Sequence, residues 1–207
     1  MTNKYVSLTT ILGVLLCAAL LLIQPIDAVI SQGHEEIDTE TLELIAQIRG
    51  EVAAFHDIDK AIEAGYNPFL SCLLDEIEGG MGQHYVNAEV VGDGMVDPLR
   101  PEALVYEPRA DGSLILVALE YLVPLALWTE DDPPVLFGHS FHENTKITEE
   151  NPEAKPAWIL HLWIGTHNPN GIFTDYNPTV FCSGDTASQD KVAEVFVAHR
   201  QLRPMRD

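Results

Sequence analysis

The segment Leu114-Ile-Leu-Val-Ala-Leu-Glu-Tyr-Leu-Val123 constrains the fold most. Read with the two-residue period of a strand, it places Leu114, Leu116, Ala118, Glu120 and Leu122 on one face. Ile115, Val117, Leu119, Tyr121 and Val123 fall on the other. Both faces are apolar, so the strand must be covered on both sides by a sheet or barrel. Glu120 is then a carboxylate among aliphatic neighbours, where a lone charge is expensive, and it needs a partner.

This strand is the second arm of a predicted β-hairpin over residues 103–124, whose first arm is Ala103-Leu-Val-Tyr-Glu-Pro108 and whose turn is Ala110-Asp111-Gly112. A second β segment, Trp158-Ile-Leu-His-Leu-Trp-Ile164, sets Ile159, His161 and Trp163 on one face and Trp158, Leu160, Leu162 and Ile164 on the other, which predicts a buried His161. From Asp38 to Ala64, apolar residues at Leu42, Ile45, Ile48, Val52, Phe55, Ile58 and Ile62 recur at spacings of three and four. This predicts one amphipathic helix, capped by Asp38 or Thr39 and ended by Gly65. His56 on it reads as an exposed histidine with no function. Gly79-Gly80-Met81-Gly82 marks a tight loop or a close approach of backbones. A phosphate loop is rejected there, because no Lys-Ser/Thr pair follows at the required spacing. Residues 129–156 read as a long acidic, proline-rich surface excursion, and residues 186–202 as a C-terminal helix with Val192, Val195 and Phe196 on one side.

The predicted fold class is therefore α+β. An N-terminal amphipathic helix packs on a mainly antiparallel sheet or small cupin-like β-barrel, and a C-terminal helix ends the chain. Lys4 followed by the 13-residue apolar run Ile11–Ile23, Pro25 and Ile26-Asp27-Ala28 reads as a signal peptide over residues 1–28. The run is short of the roughly 18–20 residues that span a bilayer, with an uncleaved anchor as the alternative. Leu16 is bulky where a lipoprotein signal has a small residue before its cysteine, which argues against lipid on Cys17. Residues 29–207 are then one secreted or extracytoplasmic domain, in the periplasm or cell envelope, with no stable transmembrane anchor after processing.

The charge follows the same logic. Eleven Lys+Arg against 32 Asp+Glu give a net charge of −21, a field that repels phosphate backbones, so nucleic acid is excluded as a partner. With 46% hydrophobic residues the chain is too apolar for a disordered acidic tail. Beyond the signal two cysteines remain, Cys72 and Cys182. A disulfide between them is the leading expectation for an oxidising compartment, with two buried thiols or two soft metal ligands as alternatives. Closing a loop of 111 residues, it stabilises the fold by about 4 kcal/mol in the chain-entropy account.

The candidate site is His84, Glu120 and His161, with His167 as a fourth ligand. Neutral imidazoles and a carboxylate form a common set for Zn, Cu, Fe or Mn, and a metal supplies the partner that Glu120 lacks. The competing account is a structural polar cluster, with Glu120 paired to Arg100, Arg109 or Tyr85. His139 and His142 read as solvated loop residues. No Gly-x-Ser-x-Gly, His-Glu-x-x-His, Rossmann fingerprint, CxxC pair or EF-hand loop is present.

The strings Gly79-Gly-Met-Gly-Gln-His-Tyr-Val-Asn87, Pro101-Glu-Ala-Leu-Val-Tyr-Glu-Pro108, Glu120-Tyr-Leu-Val-Pro124, His161-Leu-Trp163, His167-Asn-Pro169 and Tyr176-Asn-Pro178 resemble a group of uncharacterised secreted bacterial proteins. The resemblance spans roughly residues 50–182. It implies export and a common fold, and it brings no activity. Two functions follow as expectations. One is a secreted protein binding a single transition metal, with a metal-dependent reaction on a small molecule as its extension. The other is a non-catalytic extracellular module, structural or binding a small molecule, with Trp158, Trp163, Tyr85 and Phe173 lining the pocket.

Overall fold

The computed structural model describes residues 37–145 and 155–182, which belong to one compact unit. The expected signal peptide and C-terminal helix lie outside the described residues. Among the described residues, no helix is long and apolar enough to cross a membrane.

The stretch predicted as one helix is three pieces: α1 (Thr39–Glu51), a 3₁₀ turn (Ala53–His56) and α2 (Ile58–Glu63). Asp38 caps α1 by accepting from the Thr41 backbone N–H at 2.8 Å. The break has a chemical cause at Asp57. Its carboxylate accepts the Asp59 N–H at 3.0 Å, the donor that a continuous helix would give to the Phe55 carbonyl. The buried Tyr106 hydroxyl takes that carbonyl instead, at 2.7 Å. Gly65 follows α2 in the left-handed region (φ +97°), as its place after the helix predicts.

Among the described residues eight strands follow: β1 (Tyr66–Asp75), β2 (Gly79–Asn87), β3 (Ala103–Pro108), β4 (Leu114–Pro124), β5 (Val135–Leu136), β6 (His139–Ser140), β7 (His142–Glu143) and β8 (Ala157–Trp163), with the short helix α3 (Ala88–Val91) after β2. Six of them form a curled antiparallel sheet in the order β1-β2-β3-β4-β8-β7, half a barrel that stays open between its edge strands β1 and β7. β5 and β6 pair separately. The protein is thus α+β around an antiparallel sheet. The predicted hairpin is present as β3 and β4, closed at Arg109–Ser113.

The two faces of the sheet carry different chemistry. One holds the main core, where Tyr85, Leu104, Tyr106, Leu116, Leu119, Tyr121, Leu160 and Leu162 pack with Ile45, Ile48 and Val52 from the helical region. The other carries His84, Val105, Ala118, Glu120, Ile159, His161 and Trp163. Leu116 and Leu119 share the first face, although strict alternation assigns them to opposite ones. The reason is a β-bulge, since Val105 pairs with Ala118 while Tyr106 pairs with Leu116, which leaves Val117 as an extra residue. Its carbonyl accepts from both Ile164 and Gly165 at the end of β8. The bulge splits the face that strict alternation predicts: Leu114 and Leu116 turn to the main core, while Ala118, Glu120 and Leu122 face the other side.

The glycine-rich segment is a strand rather than a tight loop, and its glycines serve close approach. The Gly80 N–H lies 3.1 Å from both the Asn177 and the Val180 carbonyls, and a Cβ there would stand 2.5 Å from the Val180 oxygen. Residues 172–182 run as a strap along this end of the sheet. Glu107 accepts the Phe181 N–H at 3.0 Å, and Cys72 and Cys182 are joined in a disulfide with Cα atoms 5.4 Å apart. Residues 129–145 are less superficial than expected, because Phe141 is buried and β7 pairs with β8 as an edge strand.

Candidate metal centre

His84 sits on β2, Glu120 on β4 and His161 on β8, all on the sheet face opposite the helices. Glu120 and His161 are direct cross-strand partners. His84 and Glu120 lie on strands about 9–10 Å apart and are offset along them, because His84 pairs with Val105 of β3 and Glu120 with Ala103. Between them β3 presents Ala103 opposite Glu120, and this short side chain together with the curl of the sheet lets the longer side chains meet.

They meet closely. His84 Nε2 is 3.4 Å from His161 Nε2 and 3.5 Å from Glu120 Oε2. One donor atom from each of the three residues falls within 4.8 Å of the other two, so the group could hold a metal ion. Ligands bound at 2.0–2.2 Å around a tetrahedral ion stand about 3.3–3.6 Å apart, the spacing that His84 Nε2 has from each of its two partners. The enclosure is complete: His84 and His161 are 0% exposed and Glu120 3%.

Burial, more than any neighbour, sets the electrostatics. It drives the His84 imidazole down to about 3, with His161 pushing the same way, so His84 is neutral and has a lone pair to give. Its Nδ1 makes no hydrogen bond of acceptable geometry, the Gly82 backbone on the same strand raising the pKa only in part. Burial likewise raises the Glu120 carboxyl. At His161 burial opposes the charge, yet the hydrogen bond to Asp175, and then Glu120, move its pKa upward.

Asp175, on the strap, is the residue that sequence reasoning missed. Its Oδ1 lies 3.3 Å from His161 Nδ1 and its Oδ2 2.9 Å from His142 Nε2. Burial raises the Asp175 carboxyl, but the hydrogen bonds from His142 and His161 outweigh it and hold the pKa below the usual carboxylate range. Asp175 also raises His142, by their hydrogen bond. His142 is therefore an ordered part of the site's surroundings rather than a solvated loop residue.

His167, expected as a fourth ligand, does not join the group. It is exposed, and its carbonyl accepts from the Asn177 amide and the Thr179 hydroxyl, so its backbone fastens the strap. The expected alternative partners of Glu120 are engaged elsewhere: Arg109 with Glu107 at 2.9 Å, Arg100 with Asp93 at 3.7 Å, and Tyr85 edge-on to Tyr106 in the main core. The aromatic set expected to line a pocket is divided by the sheet. Tyr85, Trp158 and Phe173 pack in the main core and Trp163 on the opposite side. A cavity of about 350 Å³ lies elsewhere, lined by Val52, Phe55, Tyr66, Asn87, Leu99 and Arg100 among others, and does not touch the three-residue group.

Comparison with protein-family models, with curated proteins and with solved structures found no match to the chain.

Proposed function

We propose that the protein is an exported metal-binding protein that holds one transition-metal ion through His84 Nε2, His161 Nε2 and Glu120. The observation that supports it best is the convergence of three buried donors within 4.8 Å of one another, with His84 Nε2 3.4 Å from His161 and 3.5 Å from Glu120 and with Glu120 paired to neither arginine considered for it. A divalent cation neutralises the charge that burial penalises on Glu120 and occupies the space between two imidazole nitrogens. Two histidines and one carboxylate suit Zn²⁺ and also Fe²⁺, Mn²⁺ or Cu²⁺.

The ion ties β2, β4 and β8 together. Such a donor set leaves at least one coordination position for water or a small molecule, and the metal would then supply Lewis acidity. With all three ligands closed from solvent, binding and stabilisation come before turnover in this reading. The disulfide fits the oxidising compartment to which the signal-like N-terminus points.

Elemental analysis of the mature protein, exported without a histidine tag, tests the proposal. About one equivalent of Zn, Cu, Fe or Mn is expected, falling to background in His84→Ala and His161→Ala. Wild-type protein that remains metal-free after reconstitution rejects it.

A further inference from the structure

Around the three donors the strap residue Asp175 stands out, because it touches the back of a ligand rather than the space the ligands face. A histidine can offer Nε2 to a metal only when its remaining proton sits on Nδ1. For His161 that proton has a specific acceptor, Asp175 Oδ1 at 3.3 Å, while Nε2 faces His84 Nε2 at 3.4 Å. Asp175 is itself held from its other side, where His142 Nε2 lies 2.9 Å from Oδ2.

The strap that carries Asp175 is fastened on both sides of it. The Trp163 indole N–H donates to the Thr174 carbonyl, Asn168 donates to the Tyr176 carbonyl at 2.9 Å, and Asn177 exchanges backbone bonds with Gly80. These contacts fix where the carboxylate stands, and none of them requires that it face a histidine. By contrast, His84 has no such acceptor on its Nδ1. The two histidines are therefore unequal, one with a carboxylate behind it and one without.

Resting on the metal-binding reading above, we propose that Asp175 is the positioning residue of the centre, selecting the His161 tautomer that presents Nε2 to the ion and strengthening that nitrogen as a donor, with His142 holding Asp175 in place. A carboxylate behind a ligating imidazole raises its basicity, and losing such a partner typically weakens metal binding 10- to 100-fold.

The test uses full-length mature protein without a tag, stripped with chelator and titrated with Zn²⁺ against a chromophoric competitor and with Co²⁺ followed by its visible absorption. Asp175→Ala is expected to weaken Zn²⁺ binding 10- to 100-fold and to alter the Co²⁺ spectrum. Asp175→Asn, whose amide oxygen still accepts from Nδ1–H without a charge, is expected to fall between Asp175→Ala and wild type. In ¹⁵N NMR spectra of the Zn²⁺-loaded wild type, His161 is expected to carry its proton on Nδ1, a signature that loss of general stability would not move.

Affinity within twofold of wild type for Asp175→Ala overturns the inference and leaves the metal site standing, as does a His161 protonated on Nε2 in the loaded protein. If Asp175→Ala does not fold, the near-isosteric Asp175→Asn decides by the same affinity criterion. Wild-type protein that takes up neither ion rejects the metal-binding reading itself, before any Asp175 variant is compared.

Discussion

Glu120 and His161 face each other as a cross-strand pair on β4 and β8, and His84 reaches Glu120 from two strands away. Side chains from three strands thus meet at one point, and anything bound there staples the sheet. An ion that binds only the folded state at a free concentration of 100 times Kd stabilises it by about 2.7 kcal/mol. For a chain of this size that is a Tm rise of roughly 5–10 °C. Scanning calorimetry with and without chelator should show this difference in wild-type protein. Glu120→Gln should show almost none, because the amide keeps the volume and loses the anionic donor.

Gly82 adopts φ +102°, and a Cβ at this position would stand 2.6 Å from Val105 Cγ1 and 3.0 Å from the Tyr106 carbonyl. Both the backbone conformation and the space oppose a side chain. Gly112, in the β3–β4 turn, is also left-handed (φ +84°) but has nothing within 4 Å. Gly82→Ala should therefore cost about 2–4 kcal/mol and Gly112→Ala about 1 kcal/mol, read from urea midpoints at constant slope.

The contrast between these glycines reflects what was legible beforehand. β4 and β8 were readable because their apolar residues run in unbroken strand periodicity, and that placed Glu120 and His161 on buried faces. The bulge at Val117 was invisible for the same reason, since a strand apolar on both faces has no alternation of polar and apolar residues to mark a change of phase. β2 read as loop because its glycines contribute no side-chain pattern, and β1, with Asn67, Pro68 and Ser71 among its apolar residues, left no alternation to follow. The helix break at Asp57 depends on Tyr106, about fifty residues away. His167 was chosen for its nearness in sequence to His161, whereas Asp175 reaches His161 only because the strap returns past β8. Side-chain convergence that depends on a returning loop leaves no local trace.

Tyr106 compensates the helix break with its hydroxyl, which donates to the Phe55 carbonyl at 2.7 Å from within the main core. Tyr106→Phe keeps the ring packing against Tyr85 and leaves that carbonyl without this donor. A loss of about 1–2 kcal/mol is expected in chemical denaturation. Hydrogen exchange should show faster local opening of residues 53–63 than of the sheet.

The disulfide couples β1 to the end of the strap, and Glu107 adds a hydrogen bond to Phe181 beside it. Removing the cross-link restores the conformational freedom of a long loop to the unfolded chain. Cys72→Ser combined with Cys182→Ser should lower stability by about 2–5 kcal/mol. Peptide mapping of wild-type protein without reductant should recover Cys72 and Cys182 in one linked fragment.

Glu102 offers the clearest pH signature away from the His84, Glu120 and His161 group. It is buried just before β3; its Oε2 accepts the Leu122 N–H at 3.0 Å, and its Oε1 has no partner. Burial, only partly offset by that hydrogen bond, raises the carboxyl to about 8. In the unfolded chain Glu102 ionises near pH 4.5, whereas in the folded protein it stays protonated to about pH 8. The unfolded state therefore gains from ionisation across this window and the folded state does not. The contribution of Glu102 to stability is full below pH 4.5, declines as pH rises towards 8 and is constant above it, a swing on the order of several kcal/mol. Glu102→Gln removes the titrating proton and keeps the shape. Urea unfolding from pH 4 to 9 should show the variant gaining on wild type through this window and levelling off above pH 8. A difference between the two that stays flat across the window would mean that Glu102 is ionised in the folded protein.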